Sequence, residues 1–436
     1  MKIVMFTNTY LPHVTGVSRS VDRLARSCRD RGHEVLIVAP DYKRRPSREP
    51  NVVRVAAIRE LSGTDFSLAF PPGIELTEEL DRFGPELVHS HYPFLLGNTA
   101  VRTAASRNLP LVFTHHTMYE HYTHYVPLDI DALPTFAAKV ATGYANLCDR
   151  VIAPSESTAE IMRDRGVETE ISVVPTGVDL EKFSDGDGRR FRRKVGISDD
   201  AMLLIYVGRI APEKNIEFLT DAVAEALGRI ESAHFAAVGS GPSQERMRRR
   251  LSERGLADRS HLPGVCEGQD LVDAYHAADA FVFASKTETQ GMVLVEAFAA
   301  GCPVVGLDAP GVRDVVRDGA NGYLVAKESP AAFAEAIQRL AELDETQRQA
   351  MSDSARRSAE PFEAQRCADR MMQVYREVLA AEHKRIDIEG SQWLGLLRSL
   401  KRGWNLWSNQ ITSAVEALLD HSGQGDSPSA EHRRRE

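Results

Sequence analysis

Short apolar runs alternate with longer amphipathic stretches along most of the chain. A first series of runs lies at residues 2–8, 34–40, 52–58, 87–91, 111–115, 151–154 and 171–175. A second lies at residues 202–207, 234–238, 261–264, 280–284, 303–307 and 322–325. Runs of this length between helical patterns, such as residues 17–31, are typical of parallel strands buried on both faces. The pattern therefore predicts an α/β protein with two Rossmann-like, doubly wound domains that face a cleft.

The two series are separated by a polar stretch rich in Gly and Asp, residues 179–188, which makes a suitable linker. We therefore expect a first domain over residues 1–178, a linker over 179–200 and a second domain over 201–380. A helical extension is expected over residues 381–420. The last residues, 421–436, are rich in Gly, Ser, Asp and Arg, a composition typical of disorder.

Composition narrows the class of protein. The chain has 436 residues, 43% hydrophobic and 26% charged, which are values of a globular protein. Its net charge of -9 argues against a basic nucleic-acid binder, so an anionic ligand would need a local positive pocket. The 5 cysteines form no CxxC pair, which fits a reducing compartment. No apolar run reaches the ~18 residues of a membrane-spanning helix.

Glycine turns and cations follow several predicted strands. Gly16 lies in the turn after the first strand, where it lets a ligand approach the backbone or simply makes a tight turn. Arg209 and Lys214 follow the first strand of the second domain, and they either suit a diphosphate or are two solvated surface cations. Gly239 and Gly241 make another such turn, a weak signal alone. In α/β proteins, ligands bind at this carboxyl edge of the sheet.

The segment 285–297 carries two carboxylates around a glycine. Glu288 lies in the loop before a predicted helix, Glu296 lies within that helix, and Gly291 stands between them. The start of the helix is suited to phosphate, and each carboxylate is suited to accept sugar hydroxyls. For an arbitrary pair of glutamates, a loop residue and a helix-capping residue would explain the pattern as well.

Together these segments resemble the retaining glycosyltransferases of family 4, which have the GT-B fold. The resemblance covers about residues 1–380. It rests on the E-x7-E pattern of Glu288 and Glu296, on Gly208-Arg209-x4-Lys214, on Gly239-x-Gly241-Pro242 and on matches between Gly264 and Asp279.

The resemblance implies a role for each matched residue. Arg209 and Lys214 would neutralise the diphosphate of a nucleotide sugar, Glu288 would contact the transferred sugar, and Glu296 would hold the ribose hydroxyls. His116 matches a histidine that lies beside the sugar. The remaining donor-side positions are Gly16, Gly239, Gly241, Gln290, Gly291, Met292 and Val293. No metal or cofactor is expected, because the cations and the helix end do the work of a divalent ion.

One departure from the family pattern suggests a particular branch of family 4. Many members have an aromatic residue before the glycine, as E-x-F-G, whereas this chain has E-T-Q-G at residues 288–291 and H-T-M-Y-E at residues 116–120. These motifs look like the branch that glucosylates diacylglycerol in bacterial membranes. That resemblance implies UDP-glucose as donor and a lipid acceptor. It also implies a cytoplasmic protein bound to the inner face of an anionic membrane.

Aromatic and histidine residues cluster in the segment 115–125. Their spacing fits no standard set of zinc ligands, so a metal site is not expected. Tyr119, Tyr122 and Tyr125 are candidates for an aromatic wall on the acceptor side. A partly buried loop that packs on the first domain is the other interpretation.

Residues 392–419 carry apolar side chains at steps of three or four, which predicts an amphipathic helix. All 3 tryptophans of the chain lie here, among cations. This combination is typical of helices that bind a membrane surface, with Trp393, Arg398, Lys401, Trp404 and Trp407 as contacts. A terminal helix docked on the first domain or on a partner subunit explains the same pattern.

Other functions remain open on the sequence alone. A family 4 enzyme with a soluble or polyprenyl-linked acceptor would differ in its membrane association. A sugar-nucleotide epimerase would share the fold, but the E-x7-E pattern argues against it. A non-catalytic nucleotide-sugar sensor is disfavoured because Arg209, Lys214, Glu288 and Glu296 are present together.

Overall fold

The computed structural model of the chain describes residues 1–42, 49–58, 68–69, 74–121, 133–391 and 393–396. The predicted alternation of strands and helices is confirmed. In the first domain the elements are β1 (Lys2–Phe6), α1 (Gly16–Asp30), β2 (Glu34–Pro40), β3 (Val52–Val55), β4 (Ala57–Ile58), β5 (Leu68–Ala69), α2 (Ile74–Phe83), β6 (Leu87–Ser90), α3 (Leu96–Arg107), β7 (Leu111–Thr114), α4 (Leu133–Ala145), β8 (Arg150–Ala153), α5 (Glu156–Asp164) and β9 (Ile171–Val173).

The first sheet is parallel, in the order β3-β2-β1-β6-β7-β8-β9, and β4 pairs with β5 in a small antiparallel ribbon. Ile3, Val4, Met5 and Phe6 of the central strand β1 are all fully buried, since helices cover both faces of the sheet. The strand order reverses between β1 and β6. In doubly wound folds this switch point, at the carboxyl ends of the strands, is where ligands bind.

The second domain has the same architecture. Its elements are α6 (Leu180–Ser184), α7 (Gly188–Val195), β10 (Met202–Val207), α8 (Ile216–Arg229), β11 (Ala233–Val238), α9 (Gln244–Glu253), β12 (Ser260–Gly264), α10 (Gly268–Ala277), β13 (Ala280–Phe283), α11 (Met292–Ala299), β14 (Val304–Leu307), β15 (Gly322–Val325), α12 (Pro330–Ala341), α13 (Glu345–Ala359) and α14 (Ala364–Ala380). The sheet order is β12-β11-β10-β13-β14-β15, with its switch point between β10 and β13.

The chain crosses between the domains twice, at neighbouring places. Val178 donates its backbone N–H to the Phe362 carbonyl at 2.7 Å, and Ala364 donates to the Val178 carbonyl at 3.0 Å. The predicted linker is partly helical, because Asp179 caps α6 and Phe183 is buried against the second domain.

Helix α14 returns to the first domain. Its residues Met371, Met372 and Tyr375 are buried in one cluster with Ile3 and Met5 of β1. The helix therefore packs with the first domain, although the boundary predicted from sequence assigns residues up to 380 to the second.

The segment 393–396 is helical and also packs on the first domain. Trp393 is fully buried, with its ring edge-on to Tyr144 and its Nε1 donating to the Pro93 carbonyl at 3.2 Å. The prediction that Trp393 contacts a membrane is therefore wrong: a docked helix buries it. Arg398, Lys401, Trp404 and Trp407 lie outside the described residues. Within the described ranges, no helix is long and apolar enough to cross a membrane.

Candidate active site

The two switch points face each other across a cleft. The side chain of Thr289, in the loop after β13, donates from Oγ1 to the His116 carbonyl, in the loop after β7, at 3.0 Å. At Gly16, a side-chain Cβ would lie 3.6 Å from Cε of Met292, at the start of α11. Gly16 and Met292, donor-side residues predicted in the two domains, therefore lie close together across this cleft.

Lys214 and Glu288 form the central ion pair of this cleft. The Lys214 Nζ lies 2.5 Å from Glu288 Oε1, and the two side chains are 19% and 16% exposed. Lys214 ends a short 3-10 turn after β10, and Glu288 lies in the loop after β13, so the adjacent strands bring them together. A cation and a carboxylate at this spacing are able to bind an anionic ligand and a hydroxyl side by side.

Arg209 lies in the turn between β10 and Lys214. Its guanidinium is 4.0 Å from Oε1 of the buried Glu213, and its side chain is half exposed. The Tyr206 hydroxyl donates to the Arg209 carbonyl at 2.8 Å, which holds the turn against the end of β10.

Two of the predicted glycines are required by loop packing. A Cβ at Gly239 would lie 1.9 Å from the Gly208 carbonyl oxygen, and one at Gly241 would lie 2.3 Å from that of Ile210. Because these glycines have no side chain, the loop after β11 packs closely on the loop that carries Arg209. Their contact with a donor stays a prediction.

Helix α11 begins at Met292, and the N-cap residue before it is Gly291, whose φ of +72° lies in the left-handed region that favours glycine. No side chain of the described residues caps this end, and its first turn has no acidic residue. The backbone N–H groups of Met292 and Val293 therefore form an end of positive potential beside Glu288, suited to an anion.

Glu296 is buried on the same helix. The Tyr275 hydroxyl donates to Glu296 Oε2 at 2.9 Å. Burial raises the pKa of Glu296, and the Tyr275 hydrogen bond and the nearby Arg19 and Arg23 oppose that rise. The carboxylate is therefore held in one orientation by a neutral phenol, ready to accept further hydrogen bonds.

Four histidines lie at the facing edge of the first sheet: His89 and His91 around the end of β6, and His115 and His116 after β7. His91 Nδ1 lies 2.9 Å from His116 Nε2, and His89 bonds to Thr114 Oγ1 at 2.7 Å and to the Tyr375 hydroxyl at 2.6 Å. Burial lowers the pKa of His89, His115 and His116 to about 3, and that of His91 well below its usual value. The cluster is therefore neutral at physiological pH.

Because these histidines are buried and neutral, we expect acid to destabilise the fold. In the unfolded chain a histidine binds a proton near pH 6.5, whereas in the folded chain His89, His115 and His116 bind one only near pH 3, so stability falls as the pH drops below 6.5. Each contributes up to about 1.4 kcal/mol per pH unit. Denaturant midpoints measured from pH 7 to pH 5 should fall steeply, and His115→Phe should remove about one proton from that dependence.

The exposed His121 supplies the control for this prediction. The variant His121→Gln replaces a histidine whose side chain is 48% exposed, so it controls for the loss of a histidine outside the buried cluster. Equal pH slopes for wild type and His115→Phe would contradict the assignment.

The aromatic residues of the first domain pack beside the histidines. Tyr119 is buried against Tyr92, Phe94 and His115, with ring centroids 5.1–6.5 Å apart. Among the described residues, the Tyr119 hydroxyl and both ring nitrogens of His115 are buried and have no hydrogen-bond partner. Tyr122 and Tyr125 lie outside the described residues. Within the described part of the chain, no group of His, Cys, Asp or Glu is arranged to hold a metal ion.

Sequence reasoning overlooked several residues of the site. His91 contacts His116, Tyr275 orients Glu296, and Thr289 reaches across the cleft. The position of His91 at the carboxyl end of a predicted strand was a signal that could have marked it. Nothing local marks Tyr275, whose partner lies 21 residues away.

Comparison with known proteins covers both domains. A model described as Glycosyltransferase Family 4 matches residues 14–182, and one described as Glycosyl transferases group 1 matches residues 187–358. An alpha-monoglucosyldiacylglycerol synthase of Streptococcus pneumoniae is 28% identical over 340 residues, 77% of each chain. A D-inositol 3-phosphate glycosyltransferase of Streptomyces bingchenggensis is 32% identical over 319 residues, 70% of this chain and 69% of that one.

The fold has the same architecture as solved enzymes. Sucrose-phosphate synthase of Thermosynechococcus elongatus superposes with a TM-score of 0.72 at 21% identity, over 87% of this chain and all of that one. Further relatives include mannosyltransferases, so donors and acceptors differ among similar proteins. The predicted GT-B fold is confirmed, and the chain belongs to the glycosyltransferases of family 4.

Proposed function

We propose that this glycosyltransferase moves glucose from UDP-glucose to a membrane lipid, diacylglycerol, with retention of the anomeric configuration. The observation that carries the proposal is the Lys214–Glu288 pair beside the uncapped start of α11. We place the diphosphate against Lys214, Arg209 and the start of α11, which leaves Glu288 for a hydroxyl of the sugar. The similarity to alpha-monoglucosyldiacylglycerol synthase supports the choice of glucose and lipid.

In the proposed reaction, the bond between the glucose C1 and the diphosphate oxygen breaks. A new bond from C1 to the acceptor hydroxyl forms on the same face, and the hydroxyl proton passes to the leaving diphosphate. Lys214, Arg209 and the α11 backbone stabilise the charge that grows on that leaving group. The neutral His116 lies on the opposite wall, where it is suited to hydrogen-bond the sugar.

The acceptor requires contact with a membrane surface. At a net charge of -9, the protein needs a local cationic patch to approach anionic lipids, and Arg398 and Lys401 supply one in sequence. Replacing Trp404, Trp407 and Lys401 together tests this contact while it leaves the buried Trp393 in place. We propose that this variant sediments less with anionic vesicles and still binds nucleotide.

The direct test incubates the full chain with labelled UDP-glucose, UDP-N-acetylglucosamine or GDP-mannose. Each donor is offered diacylglycerol in mixed micelles, polyprenyl phosphate or inositol phosphate. Mass analysis and the anomeric NMR signal of the product identify the sugar, the acceptor and the configuration. Glucosyl-diacylglycerol with an α-linkage is the expected product. Transfer only to inositol phosphate or polyprenyl phosphate would overturn the lipid assignment.

Glu296 and Glu288 should act at different ends of the donor. Glu296→Ala should raise the Kd for free UDP about 10–100-fold, because the ribose hydroxyls lose their bonds to the buried carboxylate. Glu288→Ala should leave that Kd within about 3-fold and lower the rate of transfer, because its hydrogen bond goes to the sugar. Titration calorimetry with UDP separates the two variants.

Glu253→Ala is the matched control for this pair, because the Glu253 side chain is 67% exposed and pairs with Arg249 on α9. It should leave both UDP binding and transfer unchanged. Equal losses of UDP affinity in the Glu288 and Glu296 variants would contradict the assigned roles.

A further inference from the structure

The Gln290 side chain spans the cleft between the domains. Its Oε1 accepts from the Thr176 backbone N–H at 2.6 Å, and its Nε2 donates to the Thr176 carbonyl at 2.8 Å. Gln290 is only 3% exposed. Both polar ends of its amide are therefore engaged by one backbone residue, which lies beside the point where the chain leaves the first domain.

The neighbouring Thr289 makes two more bonds to the first domain. Its Oγ1 donates to the His116 carbonyl at 3.0 Å, and its own carbonyl accepts from Thr158 Oγ1 at 3.0 Å. Thr158 lies in the first turn of α5. Two consecutive residues thus connect the loop after β13 to three separate segments of the first domain.

A further bond holds the back of the same loop. Asp314 accepts from the Ser157 backbone N–H through Oδ1 and from the Gly311 N–H through Oδ2, both at 3.0 Å. A Cβ at Gly311 would lie 2.7 Å from the Glu288 carbonyl oxygen, so this turn packs directly on the loop. The first domain therefore reaches the loop both directly and through Asp314.

The connected residues sit between the groups of the site. We call residues 288–291 the donor loop: Glu288 pairs with Lys214, Gly291 is the N-cap residue of α11, and Thr289 and Gln290 lie between them. We propose that Thr289 and Gln290 are positioning residues that hold the donor loop against the first domain and so keep the cleft closed for transfer. The proposal requires that the protein is a glycosyltransferase, but it does not depend on which acceptor the enzyme uses.

Closure has a chemical consequence. In a closed cleft the acceptor hydroxyl replaces the diphosphate at the sugar C1. In an open cleft water attacks C1 instead of the acceptor hydroxyl. The bond from C1 to the diphosphate oxygen then breaks, and free sugar and nucleoside diphosphate form. Loss of the connection should therefore lower transfer and raise the share of the donor that is hydrolysed.

The first test uses variants that remove the bonds at nearly constant size. Gln290→Met and Thr289→Val should each lower kcat for transfer about 10–100-fold and raise the ratio of hydrolysis to transfer, with the Kd for UDP within about 3-fold of wild type. Thr289→Ser keeps the hydroxyl and should restore transfer. Gln338→Met is the control, because Gln338 bonds to Glu342 on the exposed face of α12, away from the cleft.

A second measurement needs no substrate. The native cysteines are all buried, so labels placed by Thr77→Cys on α2 and Ser252→Cys on α9, both exposed, report the distance between the domains. The distance distribution should broaden in Gln290→Met and Thr289→Val but not in Gln338→Met or Thr289→Ser. Unchanged distributions together with a normal hydrolysis ratio would overturn the proposal.

The two measurements also separate this inference from the proposed function. Failure of the wild type to use UDP-glucose or diacylglycerol would contradict the proposed function and leave the domain distances to decide the role of the loop. If Gln290→Met does not fold, the Thr289→Val and Thr289→Ser pair decides it, because a hydroxyl that only supported the fold would not change the hydrolysis ratio.

Discussion

Replacement of Lys214 by methionine should lower kcat for glycosyl transfer about 10²–10³-fold, the usual loss when one group that stabilises a developing charge is removed. Lys214 Nζ lies 2.5 Å from Glu288, in a site that is largely shielded from water. There an ammonium stabilises a leaving diphosphate far more than it would in bulk solvent. Methionine keeps the length of the side chain, so packing of the turn after β10 should persist.

The comparison of kcat with nucleotide affinity makes this result specific. The diphosphate is charged before and after transfer, so the Kd for UDP should rise by no more than about 10-fold, less than kcat falls. Lys286→Met supplies a matched control in the same segment, since Lys286 pairs with Glu328 at 2.9 Å on the surface. A kcat within about 3-fold of wild type, in a Lys214→Met protein with unchanged melting, would remove Lys214 from the mechanism.

Replacement of Trp393 by alanine should destabilise the first domain by about 3–5 kcal/mol, the usual range for deleting a buried aromatic side chain. The indole is fully buried and packs against Tyr144, and the Trp393 Cβ and backbone lie beside Gly143. Its removal leaves a cavity under α4 and an unpaired carbonyl at Pro93. Trp393→Phe should cost less, because it retains most of the buried ring.

The measurement is hydrogen exchange of β6 and β7 together with denaturant unfolding followed by circular dichroism. Val265→Ala on the second domain is the control, because Val265 is 63% exposed and its loss should change stability by no more than about 0.5 kcal/mol. Normal stability of Trp393→Ala with weakened vesicle binding would restore the membrane-contact interpretation. A chain that ends near residue 389 would lose Trp393 as well, so truncation cannot separate the two roles.

The order of strands along the chain was predictable because burial on both faces of a parallel sheet requires continuous apolar runs. Every predicted run of both series holds a strand in the structure. The positions of Lys214 and Glu288 followed from the same pattern, since each comes directly after a strand that lies at a switch point. Local patterning thus specified which side chains gather at the carboxyl edges.

The amphipathic pattern around Trp393 did not identify the surface on which this segment packs. An apolar helical face predicts that its side chains are buried away from water, but it does not predict which surface they pack against. A membrane and the first domain would accept the same Trp and Leu residues. The cavity beside Tyr144 and Pro93 decided the matter, and that cavity exists only after α4 and the segment after β6 have packed.

By itself, the sequence determined the two α/β domains, the cleft between them and the positions of Lys214 and Glu288 after strands at its edge. Tertiary structure alone decided the partners of Gln290, the contact of His91 with His116 and the return of α14 to the first domain. The Gln290 amide meets Thr176 across 114 residues of chain. Hydrogen bonds of that kind depend on how the two sheets are oriented relative to each other, a relation that no local run of residues encodes.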